Sequence, residues 1–99
     1  MKNLGTLQVE AESAVVIYDV HTGQIVHRHE VVTLKGGKHP DKQTQERDAH
    51  EQLLRIVPDF KGETAMLHVN PADIKPRVVY KVDLAKRVLV EQVRPIRRK

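Results

Sequence analysis

The chain has no cysteine and no tryptophan, and only three aromatic residues, Tyr18, Phe60 and Tyr80. Without cysteine there can be no disulfides, thiolate zinc sites, iron–sulfur clusters or cysteine nucleophiles. A small secreted domain usually needs a covalent staple, so the composition points to a reducing, cytoplasmic setting. With so few aromatics the core must be aliphatic, and base stacking cannot be the main mode of any nucleic-acid contact. No apolar run approaches the roughly 18–20 residues of a membrane-spanning helix, and the first residues lack the apolar stretch of a signal peptide. We therefore expect a protein that neither spans nor sits on a membrane.

Ninety-nine residues suffice for one domain. The charge is distributed unevenly. Eight basic and eleven acidic residues precede Lys75, whereas nine basic and two acidic residues lie from Lys75 onward, a net −3 against a net +7. The last six residues hold Arg94, Arg97, Arg98 and Lys99 and no anion. The organisation read from this is a single domain over residues 1–93 followed by a basic tail over 94–99.

The hydrophobic pattern is mostly that of strands. Leu7–Ala11 alternates, Ser13 interrupts, and Ala14–Val20 is a β-branched run. His21-Thr22-Gly23-Gln24 separates this from a second run, Ile25–Leu34, which makes a hairpin with Gly23 supplying the positive φ its turn needs. After a loop at Lys35–Pro40, Asp41 is the expected cap of one amphipathic helix that ends before Pro58. Ala49, Leu53, Ile56 and Val57 form its expected apolar stripe, and the polar first turns, Lys42–Asp48, are expected to jut beyond the sheet. Thr64–Val69 reads as a strand. A second hairpin follows over Arg77–Val82 and Arg87–Val93, with a turn at Asp83–Lys86.

The two hairpins align without gaps, Val16–Val20 over Val78–Val82, as either a degenerate duplication or convergence on one pattern. The fold class is α+β: about six mostly antiparallel strands in the order β-β-β-α-β-β-β, two hairpins and one helix, with a partial barrel around the helix as one arrangement. One helix cannot cover six strands, and Val-rich edges invite pairing between chains, so a homo-oligomer or a protein partner is expected.

Three places could carry chemistry. His27 and His29, two apart on a strand, share one face, and with His68 on another strand they would make a three-imidazole metal site if those strands were neighbours. Lys35-Gly36-Gly37-Lys38 ahead of a helix N-terminus offers backbone N–H groups and cations to an anion, although the Gly-Lys-Ser/Thr spacing of a phosphate-binding loop is absent. The cations Arg77, Lys81, Lys86, Arg87, Arg94, Arg97, Arg98 and Lys99 could dock an acidic protein surface or, through its backbone only, a nucleic acid.

No nucleophile–base–orienter set is visible, since Ser13, the only serine, has no histidine beside it in sequence. No cofactor is implied. The leading expectation is a non-enzymatic binding or assembly module with a cationic C-terminal region. A histidine-metal protein or small metallohydrolase is the alternative.

Overall fold

A computed structural model describes residues 2–4 and 7–92. The elements run β1 (Lys2–Leu4), β2 (Leu7–Asp19), β3 (Ile25–Leu34), α1 (Lys42–Ile56), β4 (Thr64–Val69), a 3-10 turn at Pro71–Asp73, β5 (Tyr80–Asp83) and β6 (Val88–Glu91). The class is α+β with antiparallel sheets, as the pattern implied, but the strands are distributed differently. Leu7–Ala11 and Ala14–Val20 do not form two strands: Ser13 pairs with Val31 inside the continuous 13-residue β2. Lys2–Leu4 is a strand that no alternation announced, and the second hairpin starts at Tyr80 rather than Arg77.

Strand β2 organises the sheet. Strand β3 lies along one side of it, while β1 and β4 lie end to end along the other. Strands β5 and β6 form a separate two-stranded sheet. Among the described residues the strands close no barrel: α1 covers one face of the sheet and the β5–β6 hairpin covers the other.

Residues facing α1 make one small core, Val15 and Ile17 against Ala49 and Leu53, with Phe60 and Met66 at its margin. Residues facing the hairpin make a second, Val16, Tyr18 and Val82, flanked by Ile25, Ala65, Leu67, Val69 and Leu89. Ala14 through Tyr18 are all buried, so β2 shows no burial alternation in its middle. A strand covered on both faces reads as an unbroken apolar run.

The helix uses a different stripe from the expected one. Its buried residues are Gln45, Ala49 and Leu53, whereas Ile56 is 68% exposed. The reason is geometric. Four helical residues rise about 6 Å, and two strand residues advance about 6.6 Å. The i, i+4, i+8 line of α1 therefore keeps step with Ser13, Val15 and Ile17, and Ile56 falls past it. The first turns consequently dock on the sheet through Gln45 instead of jutting beyond it.

The two hairpins close with the same turn. Asp19 Oδ1 accepts from the amides of His21 (2.7 Å) and Thr22 (3.1 Å), and Gly23 N–H donates to Asp19 O. Asp83 Oδ1 accepts from the amides of Ala85 and Lys86 (both 3.0 Å), and Arg87 N–H donates to Asp83 O. The correspondence is therefore Asp19 with Asp83 and Gly23 with Arg87, two residues away from the gapless sequence alignment. Both fifth residues are left-handed, Gly23 at φ 78° and Arg87 at φ 55°.

Gly23 also joins the sheets. Its carbonyl accepts from Val82 N–H at 2.8 Å, and a Cβ there would lie 2.2 Å from Val82 O. Gly36 is left-handed too (φ 88°), but a Cβ on it would meet open space. Gly36→Ala should cost about 1–2 kcal/mol, for the left-handed backbone alone. Gly23→Ala should cost about 1–3 kcal/mol more, because backbone must move to admit the methyl. Urea denaturation of both variants separates the two costs, and equal losses would show that the two sheets do not pack closely at Gly23.

Candidate functional site

Four of the cations singled out by the sequence, Arg77, Lys81, Lys86 and Arg87, fall on or just before the second hairpin, and Lys75 lies beside them. Lys75 and Arg77 lie in the segment entering β5, Lys81 is on β5, and Lys86 and Arg87 are in the turn before β6. All are exposed. Arg94, Arg97, Arg98 and Lys99 lie outside the described residues. The two carboxylates of the same region are largely occupied, Asp83 by its own turn amides and Glu91 at 4.0 Å from Lys75 Nζ.

Arg87 is the most informative of these residues. Among the described residues it has no ion pair, and it holds the left-handed conformation that the first hairpin gives to glycine. A non-glycine residue there costs about 1–3 kcal/mol, and such costs concentrate at binding and catalytic positions. Its side chain lines a cleft of about 320 Å³ between β4 and β6, with apolar walls from Leu67, Val69, Val88 and Leu89. Asn70, Asp73, His68 and Tyr80 complete the lining. The Tyr80 hydroxyl accepts from Lys75 N–H at 2.8 Å, which ties the incoming segment to the hairpin.

Among the described residues, strand β4 pairs only with β2. Both its faces are packed, yet none of its six residues is fully buried, because no described strand covers its outer edge. An open edge presents backbone donors and acceptors to any extended chain laid beside it.

The histidines lie on the opposite face of the sheet. His27 and His29 project from β3 toward α1, where Gln52 Oε1 sits 3.0 Å from His27 Nε2 and 3.0 Å from His29 Nδ1. His68 faces α1 from β4, with its Nε2 2.6 Å from Glu46 Oε2. The condition for a three-imidazole site, that these strands be neighbours, is not met. β2 stands between them, with Val15 paired to both His29 and His68, which places β3 and β4 about 10 Å apart. Among the described residues no three His, Cys, Asp or Glu side chains gather as metal ligands.

Two amides of the glycine loop are engaged within the chain, one by β2 and one by the loop's own turn. Lys35 N–H donates to Gln8 O and Gly37 N–H to Leu34 O, both at 2.9 Å. At the helix N-terminus, the Asp41 carboxylate accepts from Thr44 N–H at 2.7 Å. That bond holds the Asp41 pKa below its usual value. The cap therefore stabilises the helix above the usual carboxylate range and loses its effect as pH falls through the lowered value. The position where an external anion would sit already carries one.

Sequence reasoning missed one constellation. Ser13, His39, Thr33 and Gln45 are joined by side-chain hydrogen bonds although 26 residues separate Ser13 from His39. Their directions follow from one fixed point. The Pro40 carbonyl can only accept, so Gln45 Nε2 donates to it at 2.8 Å and Gln45 Oε1 is left to accept from Ser13 (2.7 Å). Ser13 has one proton, so at the 3.0 Å contact it accepts from His39 Nε2–H, and Thr33 donates to His39 Nδ1. A serine nucleophile needs a lone pair at that nitrogen, and here the nitrogen carries the proton. The group is a clamp between β2, the loop and α1.

Compared with protein-family models, curated proteins and solved structures, the chain matches none.

Ser13→Ala would leave His39 Nε2–H and Gln45 Oε1 without partners, and should cost about 1–3 kcal/mol in chemical denaturation. Imidazole ¹⁵N shifts of the wild-type protein should show His39 protonated at Nε2. A proton at Nδ1 would reverse the assigned chain of donors.

Proposed function

We propose that this protein is a non-enzymatic binding module whose β5–β6 hairpin, together with the cationic sequence after it, docks an anionic partner. The observation that carries this reading is Arg87: exposed, without an ion pair among the described residues, and held in the conformation a glycine would adopt more cheaply. A purely structural turn would favour glycine there, as the first hairpin does. Arg77, at φ 64°, is a second cation in the same conformation. Lys81 and Lys86 flank Arg87 on the hairpin, and the chain from Lys75 onward has nine basic residues against two acidic ones. Complementary charge of this kind steers association and makes it salt-dependent.

Between an acidic protein segment and a nucleic-acid backbone, the edge of β4 beside Arg87, unpaired among the described residues, favours the former. An extended peptide added to that edge would form backbone hydrogen bonds while its acidic side chains reach the guanidinium. Its apolar side chains would fill the cleft between Leu67, Val69, Val88 and Leu89. The edge of β3 carries the Arg28–Glu30 ion pair (3.3 Å), and charge along an edge opposes self-pairing there. Between the edges of β3 and β4, that of β4 is thus the better suited to a partner. No helix among the described residues is long and apolar enough to cross a membrane.

A peptide of alternating glutamate and valine and a single-stranded oligothymidylate of equal charge serve as probes. The peptide should bind, with affinity falling steeply as salt rises. Arg87→Glu should weaken it at least about tenfold, or about 1.4 kcal/mol. Arg87→Gly should raise the melting temperature and still weaken binding, a combination that only a strained functional residue produces. Removing residues 94–99 should leave the circular dichroism spectrum unchanged and reduce affinity. Oligothymidylate binding without peptide binding would reassign the partner to nucleic acid. Binding of either probe that is indifferent to salt and to Arg87 would end the reading.

A further inference from the structure

The face of the sheet turned away from the cationic hairpin carries an independent site. We propose that His27 and His29 chelate a divalent transition-metal ion of the imidazole-preferring class, such as Ni²⁺ or Zn²⁺, with Gln52 as an oxygen donor. This differs from a three-histidine centre in its ligands, because His68 is held on the far side of β2 by Glu46.

Two imidazole nitrogens converge on one oxygen. Gln52 Oε1 has no proton to give, so both ring nitrogens facing it are the N–H donors. Their N–H bonds point at one place in space, the Gln52 oxygen, which lies 3.0 Å from each nitrogen. When each neutral ring moves its proton to its other nitrogen, the two bonds give way to lone pairs aimed at that same place. Two imidazole lone pairs at one point are the core of a metal chelate, with metal–nitrogen distances of about 2.0–2.1 Å. Gln52 Oε1 already stands there as a third donor and needs to retreat by a small rotation about its flexible side chain to make room.

The scaffold holds both rings in place. His27 and His29 lie two apart on β3, paired respectively with Ile17 and Val15 of the most buried part of β2, so their backbone positions are fixed by the core. The rings are half-buried, which leaves a path for the ion and for waters to fill the remaining coordination positions. Imidazole donors favour Ni²⁺, Cu²⁺ and Zn²⁺ over Mg²⁺ or Ca²⁺, which take oxygen ligands. His21 and His50 are exposed, and His39 is engaged at both nitrogens. The convergent pair is therefore distinct from the other four imidazoles.

The test is a titration of the full chain with NiCl₂, followed by histidine NMR, with ZnCl₂ melting curves beside it. Substoichiometric Ni²⁺ should broaden the imidazole resonances of His27 and His29 before those of the other four histidines. Zn²⁺ should raise the melting temperature saturably, as a ligand of the folded state must. His27→Ala and His29→Ala should each weaken binding at least tenfold, whereas His68→Ala should leave it unchanged. Gln52→Glu, which keeps both imidazoles and replaces a neutral oxygen donor with an anionic one, should tighten binding several-fold. Because Gln52→Glu is a gain, it keeps the test decisive even where an alanine variant folds poorly. Equal broadening of all six histidines, no thermal shift with Zn²⁺, or a Gln52→Glu variant that binds no better than wild type would overturn the proposal.

Discussion

The burial of β2 on both faces is the constraint from which the rest of the architecture follows. A chain of 99 residues with three aromatics cannot build one thick core, and this one builds two thin ones that share a strand. Odd-numbered Val15 and Ile17 serve the helix, and even-numbered Val16 and Tyr18 serve the second hairpin. Because consecutive side chains of a strand point to opposite faces, five residues, Ala14–Tyr18, suffice to anchor both layers. The open β4 edge, the cleft beside it and the cationic hairpin all take their positions from this arrangement.

The two layers differ in what holds them. On the hairpin side the contacts are aliphatic, with Val82 and Leu89 against the sheet, and the charges project outward. On the helix side only Ala49 and Leu53 are buried apolar residues of α1. The remainder is hydrogen-bonded pairs across the interface: Gln45 with Ser13, Gln52 with His27 and His29, and Glu46 with His68. Half-buried polar groups must find partners, and here three of the six histidines, His27, His29 and His68, are drawn under one helix for that reason. The same pairing that satisfies His27 and His29 also brings their nitrogens to a common point. The four-stranded sheet thus carries the basic hairpin on one side and imidazoles on the other.

Much of the fold was legible from local chemistry. The Asp19–Gly23 turn, the Asp41 cap, the stop before Pro58 and the Asp83 turn are each written in a few adjacent residues. What was not legible required knowing which surfaces meet. Ser13 looked like a strand break because it is polar, but its partners, His39 and Gln45, are distant in sequence. Ile56 looked like core because helical periodicity cannot tell where the underlying strand ends. The three-histidine grouping failed on strand order, which alternation does not encode. Arg87 was among the cations picked out, but its conformation was hidden because an arginine carries no sequence sign of a left-handed backbone. Only the matching turn geometry of Gly23 shows that another residue would fit there at lower cost.

That β2 unites both layers into one cooperative unit is tested most directly by native-state amide hydrogen exchange. The amide of Val82, which donates to Gly23 O across the two sheets, should exchange only through the same opening that releases Val15, Val16 and Ile17, with the free energy of global unfolding. A Val82 amide that exchanges orders of magnitude faster while β2 remains protected would show that the cationic hairpin is a loosely attached appendage, and would contradict the account.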